Sequence, residues 1–146
     1  MSKLFTIFLF LILLNCSKDE VLTFNQCKEP KNGYNKFRNM YEDIVVEINF
    51  SKKILKETRI FSESHLNLER ERIKNLLTEE QLKKQIKKKE EEIYLIKSSN
   101  NGIVEAISES FLETLKFKRN ILFNIKDKKY EYSSSLTNIK SQFECR

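Results

Sequence analysis

The 146-residue sequence predicts an all-α fold, an antiparallel helical bundle of four helices, or five if the segments on either side of Thr78 are separate, behind a short disordered tether. Three observations lead there. Apolar residues recur at spacings of three, four and seven along most of the chain, the pattern that lays them on one helix face. Helix start and stop signals bracket these runs, at Thr78-Glu79-Glu80-Gln81 and at Ser98-Ser99-Asn100-Asn101-Gly102. Opposite charges also stand four residues apart, in Glu79 with Lys83, Glu80 with Lys84, Lys87 with Glu91 and Lys88 with Glu92, pairs that each support an exposed helix by a few tenths of a kcal/mol.

Residues 16–33 contain Asn25, Pro30, Asn32 and Gly33 and little periodicity, so they read as tether and lead-in loop, with residues 34–146 as the single bundle domain. A first helix begins at Tyr34 and carries Phe37, Tyr41, Ile44, Ile48 and Leu55. Within it, Ile44 to Phe50 has the composition of a strand, but its flanks keep the helical period and no strand partner of similar quality stands elsewhere. A second helix covers Glu63 to Leu77, with Leu66, Ile73 and Leu77 inward. The Thr78 capping box starts a third, with Leu82, Ile86, Ile93 and Ile96, which runs to Lys97. Asn and Gly suited to left-handed backbone end it at Gly102. Val104, Ile107, Phe111, Leu115, Leu122 and Ile125 then share a stripe, a turn falls at Asp127-Lys128-Lys129, and Tyr132, Leu136, Ile139 and Phe143 complete the bundle. Glu105, Glu109 and Glu113 early and Lys116, Lys118, Arg119 and Lys126 late suit the helix dipole of that segment.

Residues 1–15 are of a different kind. Lys3 precedes the uncharged run Leu4 to Leu14, which stops at Asn15-Cys16 and the polar Ser17-Lys18-Asp19-Glu20. The run falls short of the roughly 20 residues that a spanning helix needs, so it reads as a cleaved export signal. Leu13-Leu14-Asn15-Cys16 resembles a bacterial lipobox, in which the cysteine thiol carries diacylglycerol. Asn15 stands where most such boxes have Gly, Ala or Ser, a looser form similar to that of spirochaetes. The composition, rich in Lys, Asn, Ile, Phe and Glu and without Trp, is similar to the small helical surface lipoproteins of Borrelia-type spirochaetes. The resemblance implies a lipid bilayer as partner through acylated Cys16, and an outer-membrane location at the cell surface or, alternatively, on the periplasmic face. It also implies a non-enzymatic role in adhesion or immune evasion toward a host protein or glycosaminoglycan. A structural or assembly role is the alternative. Two or three acyl chains hold a protein on a membrane for good, at about 0.8 kcal/mol per buried methylene.

With Cys16 acylated, Cys27 and Cys145 remain, an even pair that in an oxidising compartment favours a disulfide, reduced or intermolecular thiols being the other reading. The 27 basic and 21 acidic side chains are dispersed, without the basic arm that marks nucleic-acid binding. His65 is the sole histidine, Gly33 and Gly102 are isolated, and no cysteine spacing suits zinc, so neither a catalytic relay nor a cofactor is expected. Glu105, Glu109 and Glu113 read as a solvated face. The run Lys83 to Glu92 reads as an exposed helix rather than a heparin site. Lys126, Lys128, Lys129 and Tyr130 interleave bases with an aromatic and are the candidate ligand contacts.

Overall fold

Side chains in the central segments alternate between buried and outward positions, and this two-residue period, rather than a helical one, builds the fold. The computed structural model describes residues 20–30, 40–112, 115–137 and 140–146. Among these residues eight strands, β1 (Val21–Phe24), β2 (Tyr41–Asn49), β3 (Ile54–Phe61), β4 (Lys89–Asn100), β5 (Ile103–Leu112), β6 (Leu115–Asn124), β7 (Lys129–Ser134) and β8 (Lys140–Glu144), form one antiparallel meander in chain order. The predicted all-α bundle is therefore incorrect. Spacings of four mislead because four is also a multiple of two. Ile44 and Ile48 share a strand face as readily as a helix face, and Val46 between them, fully buried, belongs only to the strand. The Ile44 to Phe50 stretch lies in β2 and its turn, with β3 as its partner across Val46↔Glu57 and Ile48↔Leu55. Val21–Phe24, assigned to the tether by the sequence, is β1 and pairs with β2.

Turn chemistry explains the hairpins. Asn101 and Gly102 both have positive φ, 52° and 76°, in the two-residue loop between Asn100 and its partner Ile103. That is the backbone that a tight antiparallel hairpin demands, so the expected helix stop at Gly102 is instead a strand reversal. The β2–β3 and β6–β7 turns repeat one device. Asn49 and Asn124 each accept a backbone N–H three residues on, from Lys52 at 2.8 Å and Asp127 at 3.1 Å. Lys53 and Lys128 then take left-handed φ of 54° and 53°. The turn expected near Asp127 is present, but between strands.

Two helices form where the sequence places helix starts, both between β3 and β4. The first, α1 (Glu63–Ile73), is capped by Ser62, and the second, α2 (Glu79–Gln85), by the complete Thr78–Gln81 box. The second stops at Gln85 rather than Lys97, because from Lys89 the chain enters β4. Lys84–Glu80 forms as a four-residue helical pair at 3.0 Å, whereas Glu91 instead pairs with Lys89 and, across the sheet, with Lys56. Leu66 is the buried residue of α1. No helix among the described residues is long and apolar enough to cross a membrane.

The sheet bends until its ends meet. Asn25 and Arg146 exchange backbone hydrogen bonds, as do Lys28 and Glu144, while the Cys27 N–H donates to the Ile44 carbonyl at 3.0 Å. The Asn25 to Lys28 segment thus lies between β2 and β8. A Cys27–Cys145 disulfide, 118 residues apart in sequence, seals the seam. One end of the resulting barrel is packed with apolar groups. Phe24, Phe123, Tyr130 and Phe143 form a run of neighbouring rings with centroids 4.5, 5.7 and 4.7 Å apart, against Val46, Ile48, Leu55 and Val104. Eight strands leave room for little more than side chains inside.

Closing so long a loop in the unfolded chain should contribute about 4–5 kcal/mol in the chain-entropy model. Urea unfolding of the oxidised protein should therefore show a midpoint well above that of the Cys27→Ser/Cys145→Ser variant, with reductant lowering only the oxidised form. Equal midpoints would mean that the bridge adds nothing to stability.

Candidate functional site

Above the packed end the inward positions turn from apolar to charged. Along β3 the inward sequence is Leu55, Glu57, Arg59 and Phe61, and β4 supplies Glu90, Glu92 and Tyr94 opposite them in register. Glu57 is 1% exposed. A carboxylate at such depth needs full compensation, because burying an unpaired charge costs several kcal/mol. It receives it from three elements. The Tyr130 hydroxyl of β7 donates to Oε1 at 2.8 Å, the Tyr94 hydroxyl of β4 donates to Oε2 at 3.2 Å, and the Arg59 guanidinium donates to the same oxygen. Arg59 in turn lies over the rings of Tyr41 and Tyr132, at 5.9 and 5.4 Å from their centroids, contacts that attract a cation to the electron-rich face.

The electrostatics follow from this packing. Burial opposes the charge on Arg59, but Glu57, followed by Tyr94 and Tyr41, outweighs it, and the guanidinium is held protonated more firmly than in water. Burial raises the hydroxyl pKa of Tyr94 and Tyr130 far above the ordinary value, and the neighbouring Glu57 charge raises them further. Tyr41 is raised too, by burial first, with Arg59 working against it.

Beside this cluster the barrel wall parts. β4 and β5 pair from Leu95↔Ile107 to Asn100↔Ile103, whereas Lys89 to Tyr94 have no β5 partner in the register and Ser108 to Leu112 pair only with β6. A cavity of about 500 Å³ opens in the gap, lined by Glu57, Arg59, Glu90, Glu91, Glu92, Ile93, Ser108 and Arg119. Arg119, inward on β6, reaches past β5 to Glu92 at 2.5 Å and covers the Phe117 ring. Glu57 and Glu92 are matched by Arg59 and Arg119, and Glu91 pairs with Lys56 and Lys89 on the outer face, which leaves Glu90 as the lining carboxylate with no ion pair shown among the described residues. Glu90 is thus the carboxylate that the site holds out to a cationic group. Among the described residues no group of three or more His, Cys, Asp and Glu is arranged to hold a metal ion.

The sequence-derived candidates lie elsewhere. Cys16 is outside the described residues. Cys27 and Cys145 are bonded to each other at the seam. Lys126 and Lys128 are exposed in the β6–β7 turn, and Lys129 pairs with Glu144 at 2.8 Å. Tyr130 does not join them as a surface contact, since its hydroxyl is bound to Glu57 inside the barrel. Glu105 accepts from Ser98, Glu109 pairs with Lys116 and Lys118, and His65 stacks on Phe61 with centroids 5.3 Å apart. The sequence does not single out Glu57 or Arg59, and it places Glu92 and Arg119 only as charges on exposed helix faces. Their signal is a charge at inward parity, Glu57 and Arg59 standing two and four residues beyond Leu55.

Two measurements test the cluster. Glu57→Leu, which strands the Arg59 cation, should lower unfolding free energy by about 3–5 kcal/mol, and Glu57→Leu/Arg59→Met should recover much of that loss. If the double variant is as unstable as the two single changes added together, the coupling is refuted. The raised tyrosine pKa values mean that their stabilisation is complete below the unfolded value of about 10 and is lost as pH climbs above it. Phenolate absorbance of Tyr41, Tyr94 and Tyr130 should thus appear together with loss of the fold in alkali, and ionisation at constant fold would contradict the burial.

No family model, curated protein or solved structure matches the chain.

Proposed function

We propose that this chain is a non-enzymatic binding lipoprotein, exported and held on the outer membrane through acylated Cys16, with its barrel displayed at the cell surface toward a host protein or glycan. The observation that carries the reading is the Cys27–Cys145 bridge at the barrel seam, a bond that belongs to an oxidising compartment. It agrees with the export leader read from residues 1–15. The first strand of the described residues starts at Val21, close in sequence to Cys16, so the anchor would hold the barrel near the bilayer. The parted, charged wall gives such a protein a recess for a partner, and the Lys126 and Lys128 turn offers a cationic contact on the outside.

Protease added to intact cells should remove the protein, and Cys16→Ser should shift it from the membrane to the soluble fraction. Protection in intact cells with digestion after permeabilisation would contradict surface display. Membrane retention of the Cys16→Ser protein would contradict the anchor.

A further inference from the structure

The gap between β4 and β5 carries backbone unpaired among the described residues as well as charge. Hydrogen-bond direction alternates along an antiparallel strand. The Phe61 N–H donates to the Lys88 carbonyl and the Ile96 N–H donates to the Lys53 carbonyl, so even-numbered residues of β4 bond toward β3. Their odd-numbered neighbours, Glu91 and Ile93, present N–H and C=O to the gap. On the other bank the Ile125 N–H donates to the Gly102 carbonyl, which by the same alternation turns the backbone of Glu109 and Phe111 away from β6 and into the gap. Among the described residues the register gives neither bank a partner on the gap side.

Side chains divide the opening into two faces. Inward stand Glu90 and Glu92, and outward stand Ile93 and Leu95, 56% and 57% exposed. Glu92 is engaged by Arg119, whereas Glu90 is exposed and no ion pair is shown for it among the described residues. A strand entering the gap would find backbone partners, acidic groups on its inner side and apolar surface on its outer side.

We infer that the parted wall accepts one extended peptide strand of a protein partner, with a basic side chain turned inward toward Glu90 and apolar side chains outward beside Ile93 and Leu95. This names the partner chemistry of the binding role proposed above and rests on that role only for its biological setting. Strand addition draws affinity from main-chain hydrogen bonds and selectivity from alternate side chains. The three consecutive glutamates repel acidic or self-similar edges while admitting a basic one.

The test uses the purified full-length protein with two synthetic probes, an alternating Lys-Val peptide and its Glu-Val counterpart, at physiological salt. The Lys-Val peptide should bind, and hydrogen exchange at the Glu91 and Ile93 amides, fast in the free protein, should slow when it does. Ile93→Pro removes an N–H that faces the gap and not the β3 ladder, so the fold should survive, as judged by circular dichroism, while binding is lost. Ile93→Ala should retain binding, and Glu90→Lys should weaken it about tenfold or more. Protection of those amides before peptide is added, unchanged exchange in its presence, or equal binding of the Glu-Val peptide would each overturn the inference. Failure here with protease-sensitive display on cells would remove the strand acceptor and leave the surface role standing.

Discussion

The barrel turns on one buried carboxylate. Glu57 binds Arg59 on its own strand, Tyr94 on β4 and Tyr130 on β7, so a single side chain cross-links two neighbouring strands to one on the far wall. A slip of any of them by one residue would send Glu57 or its partners to the outer face and leave charged and hydroxyl groups buried without bonds. Apolar packing alone would tolerate several near-equivalent arrangements of Ile, Val and Phe. The Glu57 network raises the cost of the wrong ones. It also marks the boundary inside the barrel between the packed rings of Phe24, Phe123, Tyr130 and Phe143 below and the charged cavity above.

That boundary separates two mechanical roles. Below it the seam of Asn25 to Lys28 against β8, bonded through Cys27 and Cys145, keeps the barrel shut. Above it β4 and β5 diverge, and Arg119 of β6 reaches Glu92 across the inner side of the gap. The Ser62- and Thr78-capped helices enter between β3 and β4 at this same upper end. Firm closure on one side and separation on the other let an opening persist without unravelling the sheet, the arrangement on which the proposed binding role rests.

Local chemistry was legible in the sequence where it acts over a few residues. The Thr78–Gln81 box, the helix start near Glu63 and the turn near Asp127 lie where the residues place them, and the cysteine count pointed to Cys27 with Cys145. The class of fold was not. Ile44 and Ile48, four apart, satisfy both periods, and Asn101-Gly102 serves as helix stop or hairpin according to what flanks it. Fully buried Val46 and the alternation of Phe117, Arg119, Ile121 and Phe123 decide for strands, but Arg119 interrupts the apolar pattern and hides it. The candidate site was hidden for the same reason. A charge at an inward position looks like a flaw in a stripe until residues 73 positions apart, Glu57 and Tyr130, are brought together. Lys126 and Lys128 were visible because a cluster of bases is contiguous in sequence, while the barrel cavity is assembled across strands.

The most direct test of this account is nuclear magnetic resonance of the hydroxyl protons of Tyr94 and Tyr130. Buried and bonded to Glu57, both should exchange with water slowly enough to be seen and should show through-space contacts to the Glu57 methylene protons. Hydroxyl protons that exchange freely, or that show contacts elsewhere and none to Glu57, would contradict the buried cluster and the strand register built around it.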